Sequence, residues 1–286
     1  MKILENISLK QYTTVKIGGI AKTLYSPESE EDLKELFTQT IKNEIYILGG
    51  GSNLLINDKK IFNQVICLKE LDKSITKLEN GKYYIGASVF LPKLIKTINN
   101  DGYGGIEYLF SVPALVGGAI FMNAGRGKKY NLAISDYIEE VFVYDYISNE
   151  KKVYKKSECD FKYRNSRFKN ENSIILGAIF KFEQFSKEEL EKKRKERSSL
   201  VRKVQDSSGG YNFGSVFKKN NRYLMQLVKL LHIGYTDGIS FSSKTSNWIV
   251  NKGDGTFKQA IKVISFVERL HKYLFQKIEK EVIIWK

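Results

Sequence analysis

Five consecutive residues without bulk or charge, Gly49-Gly50-Gly51-Ser52-Asn53, follow the apolar run Ile45 to Leu48. Glycines let backbone N–H groups approach a ligand closely, and successive N–H groups form a concave nest for an anion. Ser52 and Asn53 add short polar donors, so a pyrophosphate is a natural guest. No Gly-Lys-[Ser/Thr] follows, which excludes a P-loop, and Leu54 stands where a dinucleotide fingerprint has its third glycine. Taken alone, a triple glycine serves equally well as a tight turn between strands. A second small-residue cluster, Gly117-Gly118-Ala119 followed by Asn123-Ala124-Gly125, lies inside the uncharged stretch 108–125. That stretch touches the lower length limit for a membrane span. Pro113, Gly117, Gly118 and Asn123 make it a poor helix in lipid, and it reads as a buried segment around a ligand. Small residues there let backbone pack against a flat object or a neighbouring element. Two such loops in one half favour a single extended ligand with a phosphate region and a ring; a dinucleotide such as FAD satisfies both. Gly18-Gly19 reads as a turn.

These loops need elements to hold them. Residues 29–42 predict a helix, with Ser29 as N-cap, acidic residues in the first turn, and Leu33, Leu36, Phe37 and Ile41 on one face. Ile45–Leu48, Val65–Leu68 and Tyr83–Ile85 read as strands, and Leu91–Asn99 as a helix that tolerates Pro92 in its first turn. After the glycine-rich region 102–127 come strands at 138–145 and 173–182, then a charged helix at 187–204 and an Asp-Ser-Ser-Gly-Gly turn. A helix near 222–232 and a strand near 247–251 follow. A long helix from about Thr256 to Gln276 places Ile261, Ile264, Val267, Leu270 and Leu274 on one face, and Val282–Trp285 is the last strand. Strands and helices mix without regular alternation, which favours an α+β architecture over a doubly wound sheet.

Composition narrows the chemistry. The 286 residues are 42% hydrophobic and 28% charged, with seventeen Phe and seventeen Tyr to fill sizeable cores, as in a soluble globular protein. Cys67 and Cys159 are the two cysteines and form no CxxC pair; His232 and His271 are the two histidines and lie far apart. A disulfide framework and a zinc site are thereby excluded, and a histidine-dependent triad has little to draw on. The first ten residues, with Glu5 and Asn6 among the apolar ones, do not read as a secretory signal, which points to the cytoplasm. Lys and Arg number 47 against 32 Asp and Glu, a formal +15. Such a balance fits nucleic acid, an anionic membrane surface or anionic small molecules. No RNP motif, helix-turn-helix signature or basic arm accompanies it, and the dense stretch 187–203 also holds glutamates, as a solvated helix face does.

At this point several motifs resemble one family in order and spacing. They are Thr14-Val15-Lys16-Ile17-Gly18-Gly19, Leu48 through Leu55, Gly105-Ile106-Glu107-Tyr108-Leu109, Pro113 through Gly118-Ala119, Met122-Asn123-Ala124-Gly125, Tyr163-Arg164-Asn165-Ser166 and Gly214-Ser215-Val216-Phe217-Lys218. Together they are similar to the UDP-N-acetylenolpyruvoylglucosamine reductase (MurB) family, over about residue 10 to the carboxyl terminus. The resemblance implies a two-lobed FAD-binding module of the vanillyl-alcohol-oxidase (PCMH) type plus a C-terminal α+β substrate-binding domain. The expected division is 1–72 and 73–190 for the two lobes and 191–286 for the substrate domain, with the last strand, about 279–286, returning to the FAD module. Gly49, Gly50, Gly51, Ser52, Asn53, Pro113, Gly117, Gly118, Ala119, Asn123 and Gly125 would hold non-covalent FAD. Tyr163, Arg164, Lys218 and Lys219 would meet the substrate, and Arg164, Ser215 and Glu281 would be catalytic.

The implied reaction has two halves: NADPH delivers a hydride to the flavin, and the enolpyruvyl sugar nucleotide then takes it at C3 and a proton at C2. Each residue type suits its place. Arg164 offers a planar, permanently charged fork to a carboxylate whose charge rises in the transition state. Ser215 donates a proton to carbon and, as a feeble acid, needs support, for which Lys218 is the hypothesis. Glu281 stabilises the enol form by hydrogen bonding, above all if burial keeps it protonated. Outside the family context, all three have ordinary readings as an ion-pairing arginine, a turn serine and a solvated edge glutamate. The chain departs from the family pattern at Lys218-Lys219-Asn220, where members commonly have Lys-Asn-Pro. It departs again at Ser243-Lys244-Thr245-Ser246-Asn247-Trp248, where many have a Glu-Lys-His-Ala type sequence. Only 51 positions separate Arg164 from Ser215, so the shorter type without an inserted tyrosine loop is expected, with Tyr211 as a stand-in and a monomer as the working unit. Two rivals remain: another FAD-dependent oxidoreductase of this fold acting on an alcohol or hydroxy acid, and a non-enzymatic nucleic-acid binder resting on charge alone.

Overall fold

The computed structural model describes residues 1–39, 44–126, 131–204 and 210–286. The predicted helical position Ile41, the end of the glycine-rich region at Gly127 and the turn residues 206–209 lie outside them. The chain forms two units: Met1–Leu4, Leu24–Gly50 and Gln64–Ser199 make unit one, and Glu5–Thr23, Gly51–Asn63 and Leu200–Lys286 make unit two. Each takes residues from several stretches of sequence, and each mixes strands with helices, the α+β class expected.

Unit one is centred on a five-stranded antiparallel sheet in the order Glu150–Lys155, Ile138–Asp145, Ser173–Lys181, Lys82–Gly86, Ile75–Lys77. The run 174–180 reads apolar because both faces of the strand are covered. Ile174 and Leu176 pack with Leu33, Leu36 and Phe37 of helix α1 (Glu30–Gln39). Ile175, Ala178 and Phe180 pack on the other side with helices α2 (Leu91–Asn100) and α3 (Val116–Phe121). A register shift between Ile175 and Gly177 lets the strand change faces. Ser29 caps α1 as expected, its hydroxyl accepting from the Asp32 N–H at 3.1 Å. Pro92 sits in the first turn of α2, where no intrahelical N–H is lost. The charged helix α4 (Lys187–Val204) closes this half of the sequence.

Unit two holds a three-stranded antiparallel sheet in the order Tyr211–Ser215, Trp248–Asn251, Ile239–Phe241. Helices α5 (Arg222–Leu230) and α6 (Phe257–Tyr273) contribute Met225, Val228, Ala260, Val263, Ile264 and Val267 to its core. The last strand, Ile283–Trp285, pairs in parallel with Leu54–Ile56, directly after the glycine loop. Just before it, Glu279–Lys280 pairs with Phe217–Lys219. Thr256 caps α6, with Gln259 returning the bond to the Thr256 N–H at 2.9 Å. The inward face of α6 is not quite the one expected. Ala260, Val263 and His271 join Ile264 and Val267 inside, whereas Leu274 lies past the helix end and is 41% exposed. A wider stripe satisfies a helix that meets a core rather than a narrow seam.

Candidate active site

In unit one the strand Ile45–Leu48 ends at the buried Leu48 and releases the chain into Gly49 and Gly50. A Cβ placed on Gly50 would stand 3.4 Å from both the side chain and the backbone N of Leu115, so the glycine loop and the segment leading into α3 are brought together. Gly117 donates its N–H to the Ala87 carbonyl at 2.8 Å, and a Cβ there would meet the Ala87 Cβ at 2.9 Å. Gly125 is similarly closed, with the Leu132 carbonyl 2.1 Å from where a Cβ would stand. Gly49 and Gly118 differ: among the described residues nothing beyond their chain neighbours and, for Gly118, its own helix backbone lies within 4 Å of their Cβ positions. Ala119 is fully buried beside them and Pro113 is exposed. Within the same unit the Tyr108 hydroxyl is buried without a hydrogen-bond partner among the described residues, and burial raises it above the usual phenol range. Bare, open backbone and an unpartnered buried hydroxyl in the same unit fit the flat, polar-edged ring system expected from the sequence.

Arg164 belongs to the same half. Lys162 and Asn165 exchange both backbone hydrogen bonds at 3.0 Å, leaving Tyr163 and Arg164 at the tip of a two-residue hairpin. Arg164 adopts φ 55°, the left-handed conformation that turns favour for glycine or asparagine. Its Nη2 donates to the Gly125 carbonyl at 2.8 Å and its Nη1 to the Asn123 carbonyl at 3.5 Å, while the guanidinium lies 5.2 Å from the Tyr163 ring centroid. Asn123, itself at φ 45°, donates to the Lys162 carbonyl at 3.0 Å and accepts from the Ser135 N–H at 3.3 Å. Two left-handed non-glycine residues in contact store backbone strain that surrounding structure must hold, a pattern that clusters at functional sites. Ser166 does part of the holding: fully buried, its hydroxyl donates to the Phe121 carbonyl at 2.8 Å. Lys169 adds a bond to the Arg164 carbonyl at 2.7 Å.

Unit two carries the other candidates. Ser215 ends the strand Tyr211–Ser215 opposite Trp248, after a register shift in which Gly214 takes φ 76°. The Glu281 N–H donates to the carbonyl of Val216, the residue after Ser215, at 2.8 Å. Asn53 then ties the far side of Glu281, donating from Nδ2 to its carbonyl at 3.1 Å. Lys218 and Lys219 both approach Glu279, at 3.3 and 3.7 Å, and the hydrogen bond from Lys218 holds that carboxyl below its ordinary range. Gly51 takes φ 70°, and a Cβ there would fall 2.0 Å from the Tyr12 carbonyl, so close packing as well as conformation demands glycine. Thr14 from the first motif donates its N–H to the Gly51 carbonyl at 3.1 Å and its hydroxyl to the Asn212 carbonyl at 2.7 Å.

Unit one therefore gathers Gly49, Gly50, Gly117, Gly118, Asn123, Gly125, Tyr163 and Arg164, and unit two gathers Gly51, Asn53, Ser215 and Glu281, with Lys218 and Lys219 on Glu279. Gly18 and Gly19 are needed for close approach rather than for a turn. Cβ atoms there would come within 2.6 Å of the Leu9 backbone and 2.1 Å of the Lys60 carbonyl. Sequence reasoning missed the residues that brace the site: Ser166, Lys169 and Asn247, whose amide pairs with Phe217. Ser166 stands in the motif at 163–166 and Asn247 in the departing stretch 243–248, and that placement was the signal available for them. His271 is a satisfied core histidine: Nε2 accepts from the Asn221 N–H at 3.0 Å, which leaves Nδ1 to donate to the Val267 carbonyl at 2.9 Å. Among the described residues no group of three or more His, Cys, Asp or Glu is placed to hold a metal, and no helix is long and apolar enough to cross a membrane.

Residues 21–146 match the family described as FAD binding domain, which bears out the cofactor expected from the glycine loops. The whole chain superimposes on the crystal structure of UDP-N-acetylenolpyruvylglucosamine reductase (MurB) from Thermus caldophilus, with a TM-score of 0.80, 27% identity and coverage of 100% and 98% of the two chains. The class is thus an FAD-binding α+β oxidoreductase. Two curated proteins named UDP-N-acetylenolpyruvoylglucosamine reductase are similar over nearly full length. That of a Thermotoga species is 31% identical over 100% of this chain and 93% of its own, and that of Carboxydothermus hydrogenoformans 33% over 94% and 88%. The chain belongs to the UDP-N-acetylenolpyruvoylglucosamine reductase family.

Proposed function

We propose that this protein reduces UDP-N-acetylglucosamine enolpyruvate to UDP-N-acetylmuramate in peptidoglycan precursor synthesis, with NADPH as the reductant, working as a cytoplasmic monomer. The observation that carries the reading is the bond from Glu281 N–H to the Val216 carbonyl. It ties Glu281 to the residue that directly follows Ser215, so the two unit-two residues that match the family's catalytic positions lie near one another although 66 positions separate them in sequence (281 − 215). When bound, FAD supplies two-electron chemistry, accepting a hydride from NADPH and delivering it to C3 of the enolpyruvyl group. Residues 1–72 and 73–190 hold the cofactor and 191–286 the sugar nucleotide, with 279–286 returning to the cofactor module.

The chain's own residues do the rest. Arg164, its plane fixed by the Asn123 and Gly125 carbonyls, presents its fork to the enolpyruvyl carboxylate, where negative charge develops as hydride arrives at C3. Ser215 gives a proton from Oγ to C2 and regains one from solvent. Glu281 hydrogen-bonds the enol form, and Tyr163 orients the substrate beside Arg164. Lys218 and Lys219 keep positive charge beside Ser215 while neutralised in part by Glu279. An excess of positive charge concentrates both anionic substrates. The test is optical. The purified protein is expected to be yellow, to bleach with NADPH in the absence of oxygen, and to recover its colour on addition of the enolpyruvyl sugar nucleotide. Recovery with an alcohol-derived carbonyl acceptor instead would favour the rival flavoenzyme, and colourless folded protein would remove both.

A further inference from the structure

Ser215 sits between an interrupted ladder upstream and a hydrogen-bonded bend downstream. Upstream, the register shift between Asn212 and Ser215 and the left-handed Gly214 interrupt the ladder, and the Gly214 N–H turns to the Asn212 Oδ1 at 3.0 Å. Downstream, the next two peptides are clamped by one residue. The Val216 N–H donates to the Asn247 carbonyl at 2.9 Å, the Phe217 N–H to Asn247 Oδ1 at 3.1 Å, and Asn247 Nδ2 returns a bond to the Phe217 carbonyl at 2.8 Å. The side-chain amide thus pairs with both polar groups of Phe217, as a neighbouring strand would. The loop presenting Asn247 is itself fixed: the buried Ser242 hydroxyl accepts from the N–H groups of Lys244 and Thr245 at 3.2 and 3.3 Å, and the Ser242 N–H bonds the Trp248 carbonyl at 2.9 Å.

We propose that Asn247 is a positioning residue for Ser215: its backbone carbonyl holds the Val216 N–H, its side-chain amide holds both polar groups of Phe217, and together they set the direction of Oγ. The inference rests on the reading of Ser215 as the proton donor. With the upstream ladder interrupted, the downstream clamp determines where the Ser215 Cβ points, and a displacement of about 1 Å at a reacting group costs on the order of a hundredfold in rate. Asn247 acts on proton delivery alone, so flavin reduction by NADPH does not depend on it.

The test is a double-mutant cycle on the flavin-loaded protein, read separately in the two half-reactions. Asn247→Ala is expected to leave bleaching by NADPH within about twofold of wild type and to slow reoxidation by the enolpyruvyl sugar nucleotide about 30- to 100-fold. In the Ser215→Ala background the same change is expected to have no further effect, because there is no hydroxyl left to aim. Slowing of equal size in both backgrounds, or in neither, overturns the inference. Ser215→Ala at the wild-type rate overturns the proton-donor reading first, and this inference with it; a slow Ser215→Ala with an inert Asn247→Ala overturns this inference alone. Asn247→Asp keeps the acceptor and loses the donor, and covers the case of an alanine variant that does not fold. Asn247→Asp is expected to slow reoxidation at least tenfold with bleaching unchanged, and an unslowed variant overturns the inference. Amide hydrogen exchange on flavin-loaded Asn247→Ala is expected to lose protection at Phe217, whose N–H loses its acceptor, at least tenfold while α6 keeps its protection; unchanged protection at Phe217 overturns the clamp.

Discussion

Unit one and unit two hold their chemistry in opposite ways. In unit one a charged side chain is seized by backbone: the Arg164 guanidinium donates to the Asn123 and Gly125 carbonyls, from a hairpin kept in a left-handed conformation by buried anchors. In unit two the backbone is seized by neutral side chains, with Asn53, Asn212 and Asn247 bonding peptides around Ser215 and Glu281. There the charged groups Lys218, Lys219 and Glu279 pair at the surface. The contrast follows from the groups served. A guanidinium stays charged in any setting and tolerates being held by carbonyls. On the proposed role of Ser215, a hydroxyl that gives up a proton has little charge to hold, so its backbone is what has to be fixed.

The largest expected effect breaks unit two. Ser215→Ala should slow reoxidation of the reduced flavin by about 10²- to 10⁴-fold, the span of general acid catalysis, while bleaching by NADPH is unchanged. Single-turnover stopped-flow separates the two. In unit one, Arg164→Ala should cost about 10²- to 10³-fold in the same half-reaction, and Arg164→Lys should recover only part of it, because a point charge does not reproduce the bidentate fork. A lysine that restored full turnover would remove the carboxylate clamp. Gly51→Ala combines a positive φ with a Cβ 2.0 Å from the Tyr12 carbonyl and should destabilise the protein by about 2–4 kcal/mol, seen in denaturant unfolding.

What the sequence revealed divides along the same physical line. Local signals were legible: Ser29 and Thr256 start their helices, and the strands Ile138–Asp145 and Ile45–Leu48 lie where their apolar runs end. Edge strands were not. Glu150–Lys155 is largely charged, and Lys2–Ser8 alternates weakly, because an edge gains from polarity and buries little. At the site, residue types marked the glycine loop and the resemblance supplied Arg164, Ser215 and Glu281. The braces Ser166 and Asn247 stayed hidden because their worth comes from partners distant in sequence, Phe121 and Phe217.

The smallest effect probes how tightly unit one is closed. Burial pushes the Cys159 thiol up to about 12 and raises Cys67 as well, and both are buried. Neither should react with a thiol reagent at mildly alkaline pH until denaturant is added; rapid labelling of the native protein would show a looser core.

The most direct measurement concerns the two open glycine faces of unit one. Gly118→Ala adds a methyl where, among the described residues, nothing beyond its neighbours and its own helix backbone lies within 4 Å, within the short helix Val116–Phe121, where alanine is the better helix former. Titration of FAD into the apoprotein, followed by flavin fluorescence, is expected to show affinity at least tenfold weaker than wild type, about 1.4 kcal/mol, with the apoprotein melting no lower than before. Unaltered FAD affinity in a variant of unaltered stability would contradict the account, since the bare backbone at Gly118 would then face no cofactor.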